Sequence, residues 1–141
     1  MNIHLTRRYR FSASHRLHSS QLGEEENKRV YGKCNNPYGH GHNYVVEVAV
    51  SGPVDRSTGM IANLADLDAF VGREVIEPFD HTYLNEEIPE FRELVATTEN
   101  ICVEIFNRLR EFPHAKLERV RVEETSLNSF EYMGEPVGSR Q

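Results

Sequence analysis

Three histidines, one cysteine and an Asp-His dipeptide are the residues here that could do chemistry. The stretch Gly32 to Tyr44, GKCNNPYGHGHNY, sets Cys34 upstream of the H-x-H pair His40 and His42. The pair opens the hydrophobic run Tyr44 to Val50. In an extended strand, positions i and i+2 point to the same side, so both imidazoles face one point. Gly39 and Gly41 allow close backbone approach, and Pro37 stiffens the entry. Neutral imidazole is the commonest zinc ligand, and a catalytic zinc keeps three protein ligands and an open position. H-x-H alone also arises by chance in a histidine-containing loop. His15 is the natural third ligand, although a histidine closing a strand is by itself more often a hydrogen-bonded end residue; His18 competes with it weakly. Asp80-His81 taken alone is an ordinary turn pair. Glu124 continues an apolar strand face, where a carboxylate either ends the strand in solvent or is held for a ligand; by itself the position favours solvent.

The elements that must position these residues follow from periodicity. From Ile3 to His15 the odd positions are mostly apolar and the even ones polar, a half-buried strand that Arg7 interrupts. Residues 16–33 are polar and carry the acidic run Glu24-Glu25-Glu26, which reads as a solvated loop face; a connection this long suggests a functional loop. A second strand spans about 43–51. Asn63 is placed to cap a helix, with Asp66 at the capping-box position and Pro78 as its stop. Thr97 or Thr98 caps a second helix, whose stripe Ile101, Cys102, Ile105, Phe106, Leu109 and Phe112 has helical spacing. Strands at about 117–125 and 129–133 follow, and the tail from Gly134 to Gln141 is expected to fray. The order β-β-α-α-β-β predicts an α+β fold: a four-stranded antiparallel sheet with both helices on one face. The other face lacks cover from a single chain, which points to oligomerisation.

The 141 residues (1–141) suit one domain, with 38% hydrophobic and 27% charged residues. A net charge of −6 argues against nucleic-acid binding, which needs a basic face. Neither a membrane-length apolar run nor a charged-then-apolar leader is visible. Cys34 and Cys102 lie far apart and form no C-x-x-C, so free thiols and a cytoplasmic location are expected. Cys102 belongs to the helical stripe and reads as a packing residue.

Taken together, FSASHRL (Phe11 to Leu17), GKCNNPYGHGHNY, TGMIANLADL (Thr58 to Leu67), FDHTYLN (Phe79 to Asn85), TTEN (Thr97 to Asn100) and VEET (Val122 to Thr125) resemble the 6-pyruvoyl-tetrahydropterin synthase family over nearly the whole chain. The resemblance implies the tunnelling fold (T-fold), in which three chains close a barrel. Two trimers stack into a homohexamer with active sites between subunits, so Cys34 and Glu124 are expected at or near a subunit boundary. It places zinc (Zn2+) on His15, His40 and His42, the catalytic cysteine on Cys34 and the proton-shuttling pair on Asp80 and His81. The pterin-anchoring glutamate falls on Glu124 and the pterin-side threonines on Thr97 and Thr98.

The implied reaction is that of a phosphate-releasing carbon–oxygen lyase acting on a small-molecule pterin triphosphate, 7,8-dihydroneopterin triphosphate, in tetrahydrobiopterin-type synthesis. Magnesium (Mg2+) can accompany the triphosphate, for which Arg7, Arg8, Arg10, Arg16, Lys28 and Lys33 are equal candidates. Two rivals stand beside it: 6-carboxytetrahydropterin synthase, whose cysteine-to-HGH gap is shorter than CNNPYGHGH, and a non-catalytic pterin- or zinc-binding protein on the same fold. Simple binding needs neither Cys34 nor Asp80-His81.

Overall fold

In the computed structural model, which describes residues 2–136, one sheet carries the chain. Strand β1, Asn2–His15, pairs antiparallel with β2, His40–Pro53. Strand β4, Lys116–Thr125, pairs antiparallel with β2 and with β5, Asn128–Tyr132. The expected four-stranded antiparallel sheet needs a correction. A two-residue strand β3, Thr82–Tyr83, runs parallel to β1 at Ala13 and Ser14, giving a five-stranded mixed sheet in the order β3-β1-β2-β4-β5. So short a strand has no periodicity for a sequence to display.

One sheet face is apolar because β-branched residues recur every second position: Val46, Val48 and Val50 on β2, Val120 and Val122 on β4. Against it lie helix α5, Thr98–Leu109, through Ile101, Cys102, Ile105 and Leu109, and a helical run from Leu64 to Phe79 through Leu67, Val71, Val75 and Phe79. Each such fully buried side chain contributes about 1.5–3 kcal/mol. Cys102 packs as expected: its thiol donates to the Val120 carbonyl at 3.3 Å, and burial pushes its pKa up to about 12.

Pro78 does not stop the first of these helices. The run comprises α2, Leu64–Val71, a π segment Gly72–Ile76, and α3, Glu77–Phe79, with Pro78 inside α3. Proline removes the N–H that the carbonyl four residues back would accept. That carbonyl, on Glu74, instead takes Arg108 Nη1 at 3.3 Å. At the start, Asn63 caps as expected by accepting from the Ala65 amide at 2.7 Å. Among the described residues Asp66 makes no return bond, so the capping box is half built.

The acidic run after residue 23 is not a loop face. It opens helix α1, Glu24–Tyr31, with three carboxylates in the first turn, where the helix dipole favours them. A short 3-10 turn, Gly32–Asn35, follows and carries Cys34. Helix α4, Leu84–Glu87, and a second 3-10 turn, Pro89–Arg92, fill the connection to α5. The frayed tail expected from Gly134 falls mainly outside the described residues.

The second sheet face has no helix among the described residues. There Glu47 gathers Arg8 at 2.5 Å, Arg121 at 3.2 Å and Arg119 at 3.6 Å, flanked by Val45 and Ala49. No helix among the described residues is long and apolar enough to cross a membrane.

Candidate active site

Antiparallel pairing assembles the histidines. His15 stands opposite His40, and Ala13 opposite His42, so all three imidazoles share one face at one end of the β1–β2 pair. Ring centroids lie 5.0 Å apart for His15 and His42 and 4.8 Å apart for His40 and His42. Gly39 makes the crossing possible. Its φ is +84°, and a Cβ there would meet the His15 carbonyl at 3.3 Å and the Tyr83 ring at 3.1 Å. Gly41 leaves ordinary room, 3.9 Å to the nearest atom.

His15 is fully buried, and its Nδ1 lies 2.7 Å from the Ala96 carbonyl. A carbonyl can only accept, so Nδ1 carries the proton and Nε2 offers a lone pair. Burial pushes the pKa of both His15 and His42 down, against the pull of Glu124, and favours neutral rings. The Nε2 atoms of His15 and His42 are buried without a hydrogen-bond partner among the described residues. Facing them is Glu124 Oε2, at 3.7 and 3.6 Å respectively. His15, His42 and Glu124 thus bring three ligating atoms within 4.8 Å of one another. His15 Nε2 and the Glu124 carboxylate are both acceptors, and a cation held between them and the His42 ring would relieve their repulsion. The donor set, two imidazoles and a carboxylate, fits zinc. His40 is exposed and stands outside this tight group, at its open side.

Glu124 reaches this point because the β4–β5 register shifts between Glu123 and Thr125, and such a bulge re-aims a side chain. Thr98 Oγ1 donates to Glu124 Oε2 at 2.7 Å, and Asn128 Nδ2 donates to Oε1 at 3.1 Å. Burial alone would raise the Glu124 pKa; these two bonds and the histidines outweigh it, and the carboxyl sits below its ordinary value. The two expected threonines divide their work. Thr97 caps α5, accepting from the Asn100 amide at 3.2 Å, while Thr98 is buried and holds Glu124. Asn128 gives no signal in the sequence beyond its place in a turn.

Cys34 is half-buried on its 3-10 turn, fixed by the bond from the Leu17 amide to the Cys34 carbonyl at 2.7 Å. Burial, then the charge of Glu124, pushes its thiol pKa up. The two groups are close enough for the Glu124 charge to be felt at the thiol.

Comparison with known proteins decides the family. The model of the family "6-pyruvoyl tetrahydropterin synthase" matches residues 4–135. The chain belongs to the 6-pyruvoyl tetrahydropterin synthase family. It is 49% identical over 133 residues to the 6-pyruvoyl tetrahydrobiopterin synthase of Poecilia reticulata, covering 94% of this chain and 90% of that one. The Homo sapiens protein of the same name is 48% identical over 132 residues, covering 93% and 91%. The solved 6-pyruvoyl tetrahydropterin synthase of Caenorhabditis elegans superposes with a TM-score of 0.91 at 39% identity, covering 96% and 97% of the two chains.

The remaining residues expected of a synthase of this family lie apart from the acceptor cluster. Asp80 Oδ1 accepts the Ser12 amide at 2.8 Å, the His81 amide donates to the Ser12 carbonyl at 2.6 Å, and Asp80 Oδ2 lies 3.1 Å from His81 Nδ1. His81 has φ +59°, a left-handed conformation that a non-glycine residue holds only when its neighbours fix it. The dyad is thus bolted to the edge of β1, with the His81 side chain 82% exposed. Among the described residues no hydrogen bond or ion pair joins it to Cys34 or Glu124. Asp80 and His81 follow α3, whereas Cys34 lies on its own 3-10 turn.

Proposed function

We propose that this chain converts 7,8-dihydroneopterin triphosphate to 6-pyruvoyl-tetrahydropterin and triphosphate. The convergence of the His15 lone pair, the His42 imidazole and the Glu124 carboxylate, with Cys34 close enough to feel the Glu124 charge, carries this reading. His15 and His42 hold a zinc ion, and the exposed His40 completes its ligand set. Glu124, steadied by Thr98 and Asn128, retains lone pairs for the N–H edge of a pterin, a planar match to a carboxylate. A dication bound by these residues would supply Lewis acidity for the substrate side chain and would favour the Cys34 thiolate.

Cys34 then removes a carbon-bound proton from the side chain. Asp80 orients His81, which moves protons at the opposite side of a site completed by a neighbouring subunit. Oxidation of two side-chain hydroxyls to ketones is balanced by reduction of the dihydropterin ring to tetrahydropterin and by elimination of triphosphate. No external redox cofactor is required. Magnesium accompanies the triphosphate, and the reaction is placed in the cytoplasm.

Incubation with dihydroneopterin triphosphate should release triphosphate and the 6-pyruvoyl product in equal amounts. A 6-carboxy product would move the assignment to the sister reaction, and absence of triphosphate release would overturn the lyase reading.

The uncovered sheet face supports a barrel of three chains stacked into a hexamer. Sedimentation at micromolar concentration should give six copies of the 16.3 kDa chain. A monomer would leave Cys34 without its His81 and count against this assembly.

A further inference from the structure

The helical run from Leu64 to Phe79 ends against its own local preferences. The π segment Gly72–Ile76 interrupts it, Pro78 sits inside its last turn, and the chain leaves through Asp80 straight into the left-handed His81. Proline leaves a backbone carbonyl without its usual donor, so such an end needs a partner from outside the run. That partner is Arg108, on α5.

Each of the three guanidinium nitrogens of Arg108 is engaged. Nη1 donates to the Glu74 carbonyl at 3.3 Å, Nε to Glu104 at 2.7 Å and Nη2 to Glu90 at 3.2 Å. Glu104 lies one turn earlier on α5, and Glu90 lies on the 3-10 turn before it. The two carboxylates hold the planar fork in place for the carbonyl. Arg108 Cζ also lies over the buried Phe79 ring, 5.0 Å from its centroid. Phe79 immediately precedes Asp80, whose amide donates to the Ile76 carbonyl at 2.9 Å and closes the run. Phe79 meets Phe11 of β1 edge-on, with ring centroids 5.5 Å apart, and the next residues along, Asp80 and Ser12, share a hydrogen bond. The dyad is therefore fixed from the strand side by β1, and the turn that delivers it is gripped by Arg108 at Glu74 and Phe79.

We infer that Arg108 is a positioning residue for the Asp80–His81 dyad, acting through the Glu74 carbonyl and the Phe79 ring. The inference rests on the role proposed above for that dyad. Without the fork, the Glu74 carbonyl loses its donor and Phe79 loses its cation. The last turn then relaxes, and the Asp80 carboxylate that orients the His81 ring moves with it. Arg108 makes no hydrogen bond or ion pair with His15, His42, Glu124 or Cys34 among the described residues, so metal and pterin contacts are spared.

Two readouts on the purified full-length chain test this: the NMR signals of the His81 ring in protein carrying isotope-labelled histidine, assigned with His81→Gln, and steady-state turnover of dihydroneopterin triphosphate. Arg108→Met should shift the His81 ring signals and lower kcat about tenfold or more, with KM and metal content unchanged. Arg108→Lys keeps a cation and one donor and should recover part of both losses. Arg110→Met removes a comparable contact, Arg110 over Phe106 at 5.5 Å on the same helix, and should alter neither readout. Pro78→Ala returns an N–H to the Glu74 carbonyl, so Arg108→Met should cost less in that background; equal cost in both backgrounds overturns the carbonyl route. Should Arg108→Met not fold, Arg108→Gln, which keeps a donor but no charge, is judged by the same criteria. His81 signals that stay in place overturn the positioning role, whatever the rate does. Signals that shift while turnover holds, or a wild type that shows no turnover, would overturn the reaction role given to the dyad and leave the positioning by Arg108 standing.

Discussion

Replacing Cys34 by alanine should lower turnover by about 10²-fold or more, the scale of losing a positioned general base. Fold, metal content and affinity for phosphate-free dihydroneopterin should change little. The structure supports that separation. The Cys34 turn is held by backbone and amide contacts: the Leu17 amide bonds the Cys34 carbonyl, and Asn35 Nδ2 donates to the Leu17 carbonyl at 2.7 Å. None of these bonds uses the sulfur. Cys34→Ser should be nearly as poor, because a hydroxyl is far less acidic than a thiol. Burial and Glu124 push the thiol pKa upward, so the metal-free protein holds it protonated at neutral pH. The wild-type rate should therefore rise with pH through a thiol ionisation, and Cys34→Ser should lack that rise. Near-normal turnover in Cys34→Ala with metal retained would move the base to His81, whereas metal loss in that variant would make Cys34 a ligand. Single-turnover rates and metal analysis on one sample separate these results.

What the sequence displays, and what it hides, divides along physical lines. The His15–His40–His42 face was legible because strand alternation is periodic, and Cys102 because helical spacing is. The continuation of the helical run through Pro78 was not, since the freed Glu74 carbonyl is taken up by Arg108, 34 positions away in the chain. Helix α1 was hidden because three adjacent glutamates look like solvated loop until the helix dipole is counted. Glu124 read alone as a solvent-facing strand end; only the bulge and the Thr98 and Asn128 bonds make it a held carboxylate. The Ala96 carbonyl that fixes the His15 tautomer leaves no trace in a side-chain pattern at all. Non-local partners set the chemistry here, and local periodicity only delivers the residues to their faces.

His42→Ala should abolish zinc binding and cut turnover by at least about 10³-fold, because Lewis-acid stabilisation is worth several kcal/mol. The metal-free fold should survive. Among the described residues His42 Nε2 has no hydrogen-bond partner to lose, and its side chain is already 11% exposed. Thermal stability reports this directly. Added zinc should raise the wild-type Tm in proportion to the logarithm of its concentration above Kd, and should leave the Tm of His42→Ala unmoved. Two further variants identify the third ligand. His40 is exposed at the mouth of the cluster, whereas Glu124 Oε2 already lies 3.6–3.7 Å from both buried nitrogens. If the three histidines hold the metal, His40→Ala loses zinc and Glu124→Gln keeps it while the KM for substrate rises, as expected when a ground-state contact is removed. If Glu124 is itself a ligand, the pattern inverts: Glu124→Gln loses zinc and His40→Ala retains it. Retention of full zinc occupancy in His42→Ala would remove His42 from the ligand set and leave its buried Nε2 without a role.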